Sequence, residues 1–113
     1  MFELKLPQEI TYVTPEDHKM IRHSRHRLRE QKVIIDQCDA NTHLRIVGYF
    51  YQDMFILYGY CTVPSRTGLG SFYLGQLKQL IFPHRLAVTG ILQSALPFWH
   101  KMQVRGLVDI LIL

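Results

Sequence analysis

A glycine-containing turn between an apolar strand and an amphipathic helix is the segment of this sequence best suited to chemistry. The turn covers residues 64–71, with the sequence PSRTGLGS, and apolar side chains recur at helical spacing after it. The first amides of such a helix have no partner within the helix, and the helix dipole adds partial positive charge there. Gly68 and Gly70 let an anion approach the backbone closely, and Arg66 can donate a charge-assisted hydrogen bond. The turn therefore predicts a phosphate-binding site.

This turn differs from two familiar phosphate-binding loops. It lacks the Lys-Ser/Thr pair of a nucleotide P-loop, and it lacks the third glycine of the dinucleotide-binding fingerprint. Glycines are also common in strand-to-helix turns that bind nothing. A plain structural turn is therefore the alternative.

Hydrophobic periodicity, together with helix-breaking and strand-breaking residues, predicts the helices and strands that position the turn. The first thirteen residues alternate loosely and predict one or two short strands broken by Pro7. A helix over residues 15–32 follows, because Thr14 can cap it and Pro15 suits its first position. The later predicted elements are strands over residues 33–36, 43–51 and 54–63, a helix ended by Pro83, a strand over 85–92, a helix over 94–103 and a strand over 104–113.

Length and composition restrict the class of protein. The chain has 113 residues, of which 48% are hydrophobic, so we expect one globular domain over residues 1–113. No apolar stretch approaches the ~20 residues of a membrane span, and no secretory leader is evident. The cysteines, Cys38 and Cys61, are too few for a disulfide framework and show no metal-ligand spacing. These features predict a cytoplasmic protein with no metal site and no membrane partner.

The order of the helices and strands around the turn is also informative. A strand, the turn, a helix, the strand over residues 85–92 and the sequence ALPFWHKM at residues 95–102 follow one another. Residues 46–104 in this arrangement resemble the GCN5-related N-acetyltransferase (GNAT) family. In that family a turn of pattern Gln/Arg-x-x-Gly-x-Gly/Ala binds the pyrophosphate of acetyl-CoA. Two strands then splay apart to admit the pantetheine arm, and a late helix bears an alanine, an aromatic pair and a basic residue.

The resemblance implies a fold and an enzymatic activity. The fold is an α/β (α+β) domain with a GNAT-like mixed, mostly antiparallel sheet and helices on both faces. The activity is transfer of an acetyl group from acetyl-CoA to an amine, which needs a neutral amine held beside the thioester. The residues implied to bind acetyl-CoA are Cys61, Val63, Ser65, Arg66, Thr67, Gly68, Leu69, Gly70 and Ser71.

Two side chains are candidates for proton transfer. His100 follows Trp99 on the late helix, and an imidazole titrates near neutrality. Tyr60, in the strand before the turn, can relay a proton or line an acceptor groove. The alternative for His100 is a surface position, and for Tyr60 it is packing within a strand.

Several positions depart from the family pattern. Ser65 stands where the family prefers Gln or Arg, Leu92 replaces an asparagine, and Trp99 replaces the tyrosine that protonates the leaving thiolate. The strand over residues 54–63 also has no carboxylate to serve as a base. A GNAT-like fold without turnover is therefore an alternative.

The basic segment from His18 to Lys32 gives that alternative a function. It concentrates much of the positive charge of a chain whose formal net charge is +4. A helix over residues 15–32 would place Arg22, Arg25, Arg29 and Lys32 on one side. Such a face predicts docking on nucleic acid or on an acidic protein, and a solvated helix face is the simpler interpretation.

The apolar segment 107–113 supports a third alternative, a structural component of a larger assembly. It is either a buried strand or an unprotected edge that pairs with another chain. The second case predicts a homo-oligomer joined through the C-terminal strand.

Overall fold

A mixed β-sheet forms the centre of the fold in the computed structural model, which describes residues 2–24, 31–65 and 67–113. Its strands lie side by side in chain order. They are β1 (Lys32–Cys38), β2 (His43–Tyr51), β3 (Met54–Val63), β4 (Arg85–Thr89) and β5 (Ile110–Ile112). The β1–β2 and β2–β3 pairs are antiparallel and long, whereas the β3–β4 and β4–β5 pairs are parallel and short. The predicted mixed α/β (α+β) class, with mostly antiparallel pairing, is confirmed.

The helices cover both faces of this sheet. They are α1 (Pro15–Ser24), α2 (Leu69–Ile81) and α3 (Leu96–Val104), and a single 3₁₀ turn at Gln93–Ala95 leads into α3. Successive residues of β3 point to opposite faces, and Leu57 packs with α2 and α3 while Ile56 packs with Ile21 of α1. The core on the first face is completed by buried residues of the two later helices, namely Tyr73, Leu74, Leu77, Ile81, Trp99 and Met102.

Several elements have the local chemistry expected for their ends. The amide of Asp17 donates to Thr14 Oγ1 at 3.1 Å, which is the predicted cap of α1. The β2–β3 hairpin turns at Gln52-Asp53, where Gln52 adopts a left-handed φ of 52°. Gly68, with a φ of 85°, stands immediately before α2. The predicted bounds of β2 and β3, and the helix between the turn and Pro83, are confirmed.

The start of the chain departs from the prediction. No strand occurs within residues 2–13, which are irregular and bend at Gln8-Glu9. Leu4 is buried against the core, and its amide donates to Gln76 Oε1 at 3.3 Å. Gln37 Nε2 donates to the carbonyl of Glu3 at 3.0 Å. Glutamine side chains bond these backbone groups in place of a neighbouring strand, so the prediction of early strands was wrong.

The predicted helix over residues 15–32 is also wrong at its end. Lys32 is the first residue of β1, paired with Tyr49. Met20, expected to face inward, is 49% exposed, and Ile21 makes the inward contact instead. The later strands are shorter than predicted, because β4 ends at Thr89 and β5 covers only Ile110–Ile112.

A β-bulge at Tyr58 interrupts the β2–β3 register. Val47 pairs with Gly59 and Gly48 pairs with Leu57, so Tyr58 has no opposite partner. A bulge bends its strand and increases the local twist. Gly48 is needed beside it, because a Cβ atom there would lie 2.6 Å from the Ile56 carbonyl oxygen and 2.6 Å from the Phe55 ring.

Gly48→Ala should therefore lower the free energy of unfolding by about 1–3 kcal/mol, because backbone of the adjacent strand must move to admit the methyl group. Gly75→Ala is the matched control. Its Cβ would lie 3.7 Å from Leu107, an ordinary contact, and alanine is the better helix former. The control should gain about 0.5–1 kcal/mol. Chemical denaturation measures both, and equal effects would contradict the packing argument.

Asp109, which directly precedes β5, connects that strand to the start of β4 and to Lys78 of α2. Its carboxylate accepts from Lys78 Nζ at 2.9 Å and from the Leu86 amide at 2.8 Å. Its own amide donates to the Leu86 carbonyl, and Lys78 also donates to the carbonyl of Gly106 at 2.7 Å. Partial burial acts to raise the pKa of Asp109, but the hydrogen bonds from Lys78 and Leu86 outweigh it and hold the pKa below its ordinary value.

Asp109→Asn should destabilise the protein by about 1–3 kcal/mol at pH 7 because it removes a charge-assisted bond. A carboxyl whose pKa is lower in the folded state stabilises the fold above its unfolded-state pKa. That contribution is lost as the pH falls through the folded-state value. The difference between wild type and variant should therefore shrink below about pH 4. A difference in thermal stability that is independent of pH would refute this role.

Candidate functional site

Strands β3 and β4 pair at one end and separate at the other. Met54–Leu57 is in register with Arg85–Val88, and pairing stops there. Residues 58–63 of β3 have no partner on β4 within the described chain, while Ala87–Thr89 of β4 pairs with β5. The separation begins at the bulged residue Tyr58. It leaves a cavity of about 200 Å³, here called the cleft, between residues 57–60 and residues 88–92.

A larger cavity of about 520 Å³ adjoins the cleft. It lies between the end of β3, the turn before α2 and the side of α3, and is here called the outer cavity. Tyr60, Ala95 and Trp99 line both cavities. The cleft and the outer cavity together form a groove that runs from the separated strands to the start of α2.

The start of α2 gives the outer cavity an electropositive wall. Gly68 precedes the helix, no side chain caps it, and the first turn contains no acidic residue. The amides of Leu69, Gly70 and Ser71 are the first three of the helix, which have no acceptor within it. Ser71 Oγ donates to the Gly68 carbonyl at 3.1 Å. This wall can bind an anion through backbone N–H groups and the helix dipole.

Tyr60 connects β3 to that first turn. Its hydroxyl donates to the Gly70 carbonyl at 2.5 Å, and its ring packs near Trp99 with centroids 5.8 Å apart. Burial, with a smaller contribution from Tyr73, raises the pKa of Tyr60. A neutral hydroxyl whose proton is directed at Gly70 is suited to holding the helix start in place.

Phe98 closes the same junction from α3. A Cβ atom on Gly70 would lie 3.3 Å from Cζ of Phe98 and 3.8 Å from Cε2 of Tyr60. Glycine at this position therefore lets the aromatic rings approach the helix backbone. Trp99, 7% exposed, belongs to the core, as its packing interpretation predicts.

Most residues predicted for acetyl-CoA lie around the outer cavity. Cys61, Ser65, Gly68, Gly70 and Ser71 line it.

Four other predicted residues do not line the groove, or lie outside the described chain. Val63 is exposed beyond the cavity lining, and Leu69 packs against the core. Thr67 Oγ1 donates to the Pro64 carbonyl at 3.2 Å, which stabilises the turn. Arg66 lies outside the described residues.

His100 is not part of the groove. It is exposed on α3 and lines neither the cleft nor the outer cavity. The structure thus brings one of the two proton-transfer candidates, Tyr60, to the groove and leaves the other outside it. The role of His100 stays a prediction.

Lys101 falls in the late-helix motif of the sequence but was not predicted as a site residue, and Arg105 was not considered. Lys101 and Arg105 line the outer cavity together with Gly68, Gly70 and Ser71. Arg105 directly follows α3 and keeps a helical backbone, so its spacing of four residues from Lys101 indicates a shared face, and that pattern could have identified them.

The predicted basic face is only partly within the described chain. Arg22 belongs to α1, and Arg25 and Arg29 lie outside the described residues. Lys32 is on β1, so it does not belong to a helix face. Docking on nucleic acid or an acidic protein stays a prediction, as does oligomerisation through β5, which lies at the edge of the sheet.

The described residues form neither a metal site nor a membrane-spanning helix. Within residues 2–24, 31–65 and 67–113, no group of three or more His, Cys, Asp or Glu side chains is placed to hold a metal ion. Over the same residues, no helix has the length and apolarity needed to span a bilayer.

Tyr60→Phe tests the connection between β3 and α2. Loss of the hydroxyl should cost about 0.5–1.5 kcal/mol and should speed hydrogen exchange at the first-turn amides of α2. Tyr58→Phe is the matched control, because Tyr58 is 40% exposed and its hydroxyl makes no bond to the described residues. Its effect should stay within about 0.5 kcal/mol. Equal exchange at the α2 amides in both variants would contradict the proposed connection.

The groove thus combines separated strands, an electropositive helix start and two basic side chains. Any assignment of function has to come from this geometry. No family model, curated protein or solved structure matches the chain.

Proposed function

We propose that the protein is an acetyl-CoA-dependent N-acetyltransferase of the GNAT type, transferring an acetyl group to an amine. The observation that carries this proposal is the separation of β3 from β4 directly before the electropositive start of α2. The groove joins a site for phosphate to a cleft between strands. A long, thin molecule with a pyrophosphate at one end and a thioester at the other fits this arrangement.

The groove residues suit the successive parts of acetyl-CoA. The amides of Gly70 and Ser71, in the first turn of α2 and on the outer cavity, would bind the pyrophosphate. The unpaired edge of residues 58–63 offers backbone donors and acceptors to the amide groups of the pantetheine arm. Tyr60 and Phe98 hold these two regions together.

Acetyl-CoA supplies an activated acetyl group as its thioester, and the protein holds the amine beside that thioester. In direct transfer the amine nitrogen bonds to the acetyl carbon and the carbon–sulfur bond breaks, so that coenzyme A leaves as its thiolate. The proton that the nitrogen loses passes through water to that thiolate, which gives the amide and free coenzyme A. A backbone N–H on the unpaired edge of β3 can donate to the oxygen that gains charge. Holding the reactants together accounts for much of such a rate enhancement.

The side chains of the groove favour an amine that arrives neutral. No Asp or Glu lines the cleft or the outer cavity in the part of the chain described. A protonated amine therefore finds no counter-ion there, and a neutral amine is the nucleophile. Burial raises the pKa of Tyr58 as well as that of Tyr60, so neither hydroxyl is a base near neutral pH. In this proposal Tyr60 is a positioning residue, and no step is assigned to His100.

The two cysteines indicate the compartment in which the protein would act. Both cysteines, Cys38 and Cys61, are free and exposed. Exposed free thiols are typical of a reducing compartment, so we place the activity in the cytoplasm.

The direct test is acetyl-CoA binding followed by turnover. Acetyl-CoA at 100 times its dissociation constant should stabilise the fold by about 2.7 kcal/mol in thermal unfolding. Product formation with small amines, peptide N-termini and lysine peptides should be followed by chromatography, since the exposed thiols would react with thiol reagents. Binding without acetylation of any acceptor would favour a non-catalytic module, and absence of binding would refute the proposal.

Gly68→Asp tests the phosphate site. Nothing lies within 4 Å of a Cβ at this position, and Asp and Asn both tolerate its left-handed φ of 85°. The added carboxylate should repel the pyrophosphate and weaken acetyl-CoA binding at least about tenfold, equivalent to about 1.4 kcal/mol. Gly68→Asn is the control of equal shape without the charge, and it should bind more tightly than Gly68→Asp. Calorimetry giving equal affinities for the two variants would show that no anion binds at this turn.

A further inference from the structure

Lys101 and Arg105 form a pair of cationic side chains in the outer cavity. Lys101 lies in the last turn of α3, and Arg105 directly follows the helix, where its amide donates to the Lys101 carbonyl at 3.0 Å. Both line the cavity together with Ser65 and Gly68 of the turn that precedes α2. The pair therefore adds a second electropositive wall, built from side chains rather than backbone.

Neither charge has a carboxylate partner within residues 2–24, 31–65 and 67–113. Arg45 pairs with Asp36 at 2.7 Å, and Arg85 pairs with Asp53 at 3.0 Å. Among the described residues, Lys101 and Arg105 have no carboxylate partner, and no acidic residue lines their cavity. Two unpaired cations side by side repel each other, so an anion between them is favoured.

The position of the pair at the end of α3 and directly after it indicates which anion this is. Ala95 and Trp99, nearer the start of the helix, line both the cleft and the outer cavity. Lys101 and Arg105 line only the outer cavity. A ligand whose thioester lies in the cleft and whose pyrophosphate lies at α2 continues outward with its ribose and the phosphate on that ribose.

We propose that Lys101 and Arg105 bind the ribose 3′-phosphate of coenzyme A, an inference that rests on the proposed function. Arginine can contact a phosphate through two parallel N–H donors, and lysine adds a compact charge. The pair is then a specificity determinant. It selects coenzyme A over pyrophosphate-containing molecules that lack the third phosphate.

The test compares coenzyme A with 3′-dephospho-coenzyme A by calorimetry. Wild-type protein should bind coenzyme A at least tenfold more tightly. The Lys101→Gln/Arg105→Gln variant should lose that preference and retain the wild-type affinity for the dephosphorylated ligand. Lys19→Gln/Lys32→Gln is the matched control, because it removes two exposed positive charges that lie on α1 and β1. The control should keep the preference.

The possible outcomes distinguish a failure of the 3′-phosphate site from a failure of acetyl-CoA binding as a whole. Equal binding of both ligands by wild-type protein would overturn the role of Lys101 and Arg105 while leaving acetyl-CoA binding intact. Equal weakening of both ligands in the double variant would place the pair on the pyrophosphate and overturn the inference as stated. Loss of the preference for coenzyme A in the control variant would show that the net charge of the protein, and not the Lys101/Arg105 pair, causes the preference, and would overturn the inference. Failure of wild-type protein to bind either ligand would overturn the proposed function as well.

Discussion

The bulge at Tyr58 is the constraint on which the groove depends. An uninterrupted β3 would continue alongside β4, and its outer edge would then be occupied by hydrogen bonds to that strand. The extra residue bends β3 at the point where pairing with β4 ends, between Leu57 and Val88. Gly48 makes this geometry sterically acceptable, because the Phe55 ring and the Ile56 carbonyl occupy the space of its missing side chain. The cleft is thus a consequence of one inserted residue and one absent side chain.

The walls of the groove are held by contacts of different kinds. The buried face of α2, with Tyr73, Leu74 and Leu77, fixes the helix against the sheet by packing. Tyr60 then sets the start of that helix with a single hydrogen bond to Gly70. Packing excludes water but has little directionality, whereas the hydrogen bond fixes the position of the Gly70 carbonyl. Backbone amides that bind an anion need both the exclusion of water and a fixed position.

The sequence was sufficient where local chemistry decides the structure. The hairpin between residues 43 and 63 follows from apolar runs separated by Gln52-Asp53, and the bounds of α2 follow from Gly68 and Pro83. The strand prediction for the irregular segment before α1 was wrong, because part of its backbone is bonded by glutamines distant in the chain. The bulge depends on cross-strand register, which no single segment encodes. The spacing of Lys101 and Arg105 suggests a shared face, but only the fold shows that this face lines the same cavity as the start of α2.

The strands of this sheet lie in the order in which they occur in the chain. Each new strand therefore joins the edge left by the strand before it, and no segment has to insert between two that are already paired. Such sequential topology keeps loop-closure entropy low and favours growth of the structure from the β1–β2–β3 meander outward. The cleft lies between β3 and β4, so it exists only after the later helices have docked. Ligand binding there consequently requires the whole fold rather than the hairpin alone.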